Sequence, residues 1–199
     1  MIKAGITGTI AAGKSTVSLI LREMGFTVFD SDLAARQCLD PGESGYVQVI
    51  EHFGREILRD DETVDRKKLA SLIFADEEKR EELNGIVHPY VKQKMFDCFR
   101  EHDSEKIVFA EVPLLFEVGW QDLFDLTITV TCEDETAISR CIRDRGYTRK
   151  EAEERLASQI GRKAQIEASD IVFYNDGTVE ELRDKLRQWL KEAENGIEG

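Results

Sequence analysis

Five short stretches of apolar and β-branched residues punctuate the chain without polar alternation. They are "IKAGIT" (2–7), "FTVF" (26–29), "KIVFAEV" (106–112), "LTITVT" (126–131) and "DIVFY" (170–174). Continuous runs of this kind suit parallel strands covered on both faces, whereas a strand with one wet face would alternate. Between the runs, apolar positions recur at helical spacing. The first helix is predicted from about Lys14 to Met24, with Gly25 as its stop. The last repeats Val179, Leu182, Leu186 and Leu190, with Trp189 beside them and Thr178 as N-cap. Strand–helix alternation predicts a doubly wound α/β fold around a five-stranded parallel sheet flanked by helices.

Two segments interrupt that rhythm. Residues 65–100 contain no strand run and read as consecutive helices, broken or restarted at "GIVHPY" by Pro89. Residues 134–168 are also helical and strongly charged. The expected division is a core of 1–62, 101–138 and 166–199, a helical insertion at 63–100, and a second helical excursion at 139–165. The tail "ENGIEG" (194–199) is expected to fray.

Composition narrows the class. With 199 residues, 41% hydrophobic and 34% charged, the chain can bury one core with small excursions, and global disorder is excluded. A net charge of −13 argues against the broad basic face that nucleic-acid binding needs. No apolar run approaches the length of about 20 residues that crosses a bilayer, and "MIKAGITGTI" lacks a secretory apolar region. A cytoplasmic protein with no membrane partner is expected. Cys38, Cys98, Cys132 and Cys141 form no C-x-x-C pair, and His52, His88 and His102 are dispersed, so reduced thiols are expected rather than a zinc site. No oligomer contact leaves a signature, so a monomer stays open.

The chemistry begins at "GITGTIAAGKST", where Gly8-x4-Gly13-Lys14-Ser15 lies between a predicted strand and a predicted helix. Glycines let the backbone curl so that loop N–H groups point at phosphate oxygens, and the helix N-terminus adds the positive end of its dipole. Lys14 can reach the β- and γ-phosphates, and the Ser15 hydroxyl can ligate Mg²⁺. A nucleoside triphosphate is the expected ligand. The chain has no Asn-Lys-x-Asp guanine reader, and "KIVFAEV" offers only Glu111 where a motor ATPase would carry an acid pair. Small-molecule kinases fit the length.

After the second strand, "FDSDLAARQ" places Asp30 and Asp32 where a strand ends and a helix begins. In a parallel sheet that edge faces the same crevice as the phosphate loop. One carboxylate could help hold hydrated Mg²⁺, and the other could orient an attacking hydroxyl and take its proton late. A helix N-cap plus a solvated acid accounts for the pair equally well.

Taken together, "GITGTIAAGKST", "VFDSDLAARQ", "HFG" (52–54), "RKKLASLIF" (66–74), "LNGIVHPYV" (83–91), "VPLLFE" (112–117) and "SDIVFYNDG" (169–177) resemble the dephospho-CoA kinase family over nearly the whole chain. The resemblance implies a P-loop kinase core, a helical substrate domain at 63–100 and a lid at 139–165. It also implies ATP-dependent phosphorylation of the ribose 3′-hydroxyl of dephospho-CoA, the last step of coenzyme A synthesis. By the same resemblance, Gly8, Ala11, Ala12, Gly13, Lys14, Ser15, Thr16 and Asn175 belong to the ATP and magnesium site. Asp32 matches the family's base and Asp30 its metal-side neighbour. Arg36 is placed to hold acceptor or phosphate, and His88 and Pro89 shape the acceptor domain. Leu114, Leu115, Phe116 and Glu117 resemble the wall for the pantetheine arm, although the three apolar residues suit core packing equally. In one departure from the family, Thr9 and Ala11 stand where glycine is common.

Residues 140–163 hold eight Lys+Arg and four Asp+Glu, a local charge of +4 inside a chain of −13. Such a concentration suits a mobile cover over phosphates. Arg140 is the first candidate for the ATP contact, with Arg155 and Gln159 one helical turn apart further on, while Arg143 and Arg145 flank Asp144 in "IRDRGYT". A solvated helix carrying pairs such as Glu151 and Arg155 accounts for part of this segment. Two rival functions remain: a P-loop kinase acting on a nucleoside or nucleotide, and a nucleotide-dependent switch or binding module.

Overall fold

All five apolar runs form strands in the computed structural model, which describes residues 1–74 and 76–197: β1 (Ile2–Gly8), β2 (Val28–Asp30), β3 (Ile107–Glu111), β4 (Leu126–Thr131) and β5 (Ile171–Tyr174). They make one sheet in the order β2-β3-β1-β4-β5. β1 pairs in parallel with β3 and β4, and β4 with β5. The chain leaves β1 toward one edge and, after β3, crosses to the other. The carboxyl end of β1 therefore lies at a switch point, where open α/β sheets bind ligands.

Helices cover the strands because their apolar stripes have nowhere else to go. α1 (Lys14–Glu23) buries Val17, Ile20 and Leu21, and Gly25 stops it at φ +90°. The final helix, α9 (Val179–Ile197), buries Leu182, Leu186 and Leu190 against Ile6, Phe109, Val130 and Phe173. Trp189 adds edge-on contacts to the Phe109 and Phe173 rings. A capping box starts the helix: Thr178 N–H donates to Glu181 Oε2 at 2.9 Å, and Glu181 N–H donates to Thr178 Oγ1 at 3.2 Å. Val179, expected in the buried stripe, is 47% exposed, because it precedes the first turn that meets the sheet. The helix is continuous to Ile197, so the tail expected to fray is helical over 194–197, and 198–199 lie outside the described residues.

The chain divides into two compact units: residues 1–29 with the chain from His102 onward, and Asp30–Glu101. The second unit contains α2 (Ser31–Gln37), α3 (Ser44–Phe53), α4 (Arg66–Phe74) and α5 (Glu77–Glu101). Leu39, Val49, Phe53 and Ile57 share one apolar cluster with Val64, Leu69, Leu83 and Ile86. Residues 30–62, expected with the sheet, therefore pack with the insertion helices.

Pro89 does not break the insertion. α5 runs through it for 25 residues. An internal proline loses one hydrogen bond and crowds the carbonyl four residues back, at a cost of about 3 kcal/mol. Buried residues lie beyond the proline (Val91, Met95, Phe99), and Ile86 and Val87 pack before it, so side-chain burial holds the helix together.

The charged excursion is three helices in the first unit: α6 (Asp134–Arg145), α7 (Arg149–Ala157) and α8 (Arg162–Ala168). Gly146 ends α6 in the left-handed region at φ +68°, and Thr148 with Glu151 caps α7 reciprocally.

Candidate active site

The loop after β1 is held by both what it lacks and what it carries. A Cβ on Gly8 would strike the Val130 carbonyl of β4, and one on Gly13 would strike the Asn175 amide. Gly8 and Gly13 also have positive φ, +146° and +102°. The two glycines retained are thus the two that the backbone requires. Ala11 adopts the left-handed region at φ +57°, a conformation that costs a non-glycine residue about 1 kcal/mol. Thr9 is buried, and its carbonyl accepts from Ala12 N–H at 3.2 Å.

Gly13 is the N-cap of α1 and supplies no side-chain cap, so the helix presents free N–H groups to the loop's interior. Lys14 Nζ folds back to the Gly8 and Thr9 carbonyls at 2.7 and 2.9 Å. Ser15 Oγ donates to Glu111 Oε1 at 3.1 Å. Glu111 ends β3 and is 8% exposed.

Two distant residues brace the same loop. Arg140, on α6, donates from Nη2 to the Asn175 carbonyl at 2.8 Å and from Nη1 to the Ala11 carbonyl at 3.4 Å. Asn175, just past β5, donates from Nδ2 to the Ala12 carbonyl at 2.8 Å. A cleft of about 480 Å³ opens beside them, lined by Ala11, Gly13, Lys14, Ser15 and Thr16 on one side. Arg140, Arg143, Arg145 and the Gly177–Thr178 turn complete it. Lys14 and three arginines against the single acid Asp144 make the lining cationic, as a polyphosphate requires. Asp144 holds the Arg143 guanidinium through two bonds, at 2.6 and 2.8 Å, which keeps the arginine charged and lowers the aspartate's pKa from its ordinary value. Arg155 and Gln159 do not share a helical turn, because α7 ends at Ala157. Arg155 stacks on the Tyr147 ring, 4.6 Å from its centroid, and Gln159 turns to the phosphate loop.

In the "VPLLFE" segment, Leu115 is fully buried and Leu114 is 45% exposed. Phe116 is half-buried. The exposed Glu117 accepts Ile160 N–H at 3.1 Å.

In the second unit, Asp30 caps α2, its Oδ1 accepting from Leu33 N–H at 2.9 Å. Asp32 and Arg36 are exposed on that helix, in its first and last turns. The Arg36 carbonyl accepts from Arg66, which also pairs with Asp40 at 3.2 Å. His88 is half-buried beside the exposed Pro89. Burial, and then the Lys92 ammonium, push its imidazole below its ordinary pKa, so it stays neutral near pH 7.

The fold therefore gathers Gly8, Ala11, Ala12, Gly13, Lys14, Ser15, Thr16, Arg140 and Asn175 around one cleft. Asp30, Asp32, Arg36, His88 and Pro89 belong to the other unit. Sequence reading assigned no role to Glu111 as the partner of Ser15. The signal was present, an acid ending a buried strand, but its partner lies 96 residues away. Among the described residues, no group of three or more His, Cys, Asp or Glu is placed to hold a metal by itself.

Comparison with known proteins gives a consistent result. The family model described as dephospho-CoA kinase matches residues 2–181. A dephospho-CoA kinase of Oceanobacillus iheyensis is 41% identical over 189 residues, covering 94% of this chain and 95% of that protein. One from Streptomyces avermitilis is 40% identical over 186 residues, covering 94% and 91%. Among solved structures, a Thermus thermophilus protein superposes with a TM-score of 0.83 at 31% identity, over 96% of this chain and 97% of that one. The dephospho-CoA kinase from Campylobacter jejuni gives 0.75 at 25% identity, over 98% of both.

Proposed function

The chain belongs to the dephospho-CoA kinase family, and from that premise we propose how its residues transfer the ATP γ-phosphate to the ribose 3′-hydroxyl of dephospho-CoA. The activity is that of a phosphotransferase with an alcohol acceptor. The observation that carries the residue-level reading is the braced phosphate loop beside a cationic cleft large enough for a nucleotide.

Lys14, the loop amides and the α1 N-terminus hold the β- and γ-phosphates. Arg140 already anchors the loop and stands at the cleft, where it meets the charge that spreads over the transferring group. Arg143 and Arg145 line the same cleft, and residues 139–165, within α6–α8, act as the lid, excluding water that would otherwise take the phosphoryl group. The donor set fits magnesium. The Ser15 hydroxyl and Glu111 carboxylate are hard oxygen donors side by side, and magnesium is an ion that takes much of its shell from phosphates and water. Ser15, Glu111 and Asp30 would hold it, and when bound it would neutralise charge on the β- and γ-phosphates.

Asp32 orients the 3′-hydroxyl and takes its proton as the new O–P bond forms and the bond from the γ-phosphorus to ADP breaks. A carboxylate is a weak base, so the proton moves late. Arg36 pairs with acceptor phosphate. His88 and Pro89 shape the acceptor domain at 63–100. Leu114 and Phe116 present the apolar wall for the pantetheine arm, with Leu115 behind them and Glu117 at its end. The enzyme works in the cytoplasm on small molecules, with neither nucleic acid nor membrane as partner. Among the described residues no helix is long and apolar enough to cross a membrane.

Asp32→Asn tests the assignment. The expected result is a kcat lowered by about 10²–10⁴-fold with the KM for ATP within twofold. Turnover close to that of the unaltered protein would remove Asp32 from the role of base.

A further inference from the structure

The connection between α7 and α8 touches the phosphate loop at one polar point. Gln159 Oε1 accepts the Ile10 N–H at 2.7 Å, across 149 residues of sequence. The next residue is anchored as well, because Ile160 N–H donates to Glu117 Oε1 at 3.1 Å. Apolar contacts support the same junction: Ile10 and Ala11 pack against Ile138, Cys141 and Ala152, and Leu156 joins them.

The position of this bond in the loop gives it weight. Ile10 immediately precedes Ala11, the residue held at φ +57°. The Ala11 carbonyl is held by Arg140 and the Ala12 carbonyl by Asn175. Gln159 supplies the third brace and is the one that acts on a loop N–H. Removing it leaves a partly buried donor unsatisfied and frees the Ile10 peptide to turn. The left-handed residue beside it would then relax, and the amides aimed at phosphate would lose their alignment.

We propose that Gln159 is a positioning residue for phosphoryl transfer: a neutral side-chain carbonyl that fixes the Ile10 amide and so ties the α7–α8 connection to the shape of the phosphate loop. Neutrality is part of the requirement. A glutamate would reach the same N–H, but it would place a negative charge beside the bound triphosphate.

The proposal rests on the kinase reading, and its test keeps the two apart. Amide hydrogen exchange on the nucleotide-free protein reports the brace without any turnover. Ile10 should be protected in the unaltered protein, lose that protection in Gln159→Leu and keep it in Gln159→Glu. Kinetics then read the role. Gln159→Leu should raise the KM for ATP about tenfold, the equivalent of one lost hydrogen bond, with the KM for dephospho-CoA within twofold. Gln159→Glu should also raise the KM for ATP although Ile10 remains protected, which a purely structural side chain would not do. Unchanged exchange at Ile10 in Gln159→Leu would overturn the proposal. So would an ATP KM that both variants leave alone, or ATP and acceptor KM values rising together with a lowered unfolding midpoint. A protein that releases no ADP in any form would instead overturn the kinase reading, and the exchange comparison would still judge the brace.

Discussion

Ala11 shows how much of this site is decided by single residues. The resemblance to a glycine-rich loop left Thr9 and Ala11 unexplained, and the backbone now separates them. Gly8 and Gly13 each face an atom that forbids a Cβ, whereas position 11 has a positive φ without such a clash. Alanine is tolerated there at an energetic cost. Ala11→Gly should therefore relieve about 1 kcal/mol of strain and leave a smaller net stabilisation, read as a raised denaturant midpoint with an unchanged slope. The gain is partly offset by the greater freedom of glycine in the unfolded chain. A lowered midpoint would show that the alanine side chain, packed against Ile138 and Ala152, contributes more than the strain it carries.

At the scale of elements, the strands and the phosphate loop were legible because their signals are local. A continuous apolar run, a glycine turn and a helix start occupy adjacent positions. What the sequence hid was set by distant partners. Pro89 reads as a break, yet α5 passes through it because burial on both sides holds the helix. α3 carries a helical pattern of its own at Tyr46, Val49, Ile50 and Phe53, and its place is set by the apolar cluster it shares with α4 and α5. The contacts Ser15–Glu111 and Ile10–Gln159 join residues 96 and 149 positions apart, beyond any spacing rule. The α5 helix also carries a pH dependence. Unfolded His88 protonates near its ordinary pKa of 6.5, whereas the folded imidazole protonates lower. Between those values the unfolded state binds more protons, so the contribution of His88 to stability is complete above pH 6.5 and is lost as the pH falls through that window. Thermal melts from pH 7.5 to 5 should fall less steeply for His88→Gln than for the unaltered protein. Equal slopes would mean that the imidazole titrates alike in both states.

For the whole molecule, the division of labour follows from charge and chain order. A chain of net charge −13 concentrates cationic groups at the carboxyl end of β1, where loop, Arg140 and the α6–α8 segment converge on a phosphate-sized task. The second unit begins at Asp30, the residue that ends β2 and caps α2, and both acids of the Asp-x-Asp pair belong to it. Fold class and reaction class were readable from motifs alone, while the boundary of the second unit depended on packing among residues 39–87. The central claim is the acceptor and the position phosphorylated on it. Purified protein with ATP and Mg²⁺ should be given dephospho-CoA in one reaction and a panel of nucleosides and nucleotides in another, with ADP quantified and the product's phosphate located by phosphorus NMR. The account predicts one ADP per dephospho-CoA consumed, a new phosphomonoester on the ribose 3′-oxygen, and only background release with the panel. ADP release with a nucleoside but not with dephospho-CoA, or a phosphate on any other oxygen, would contradict it.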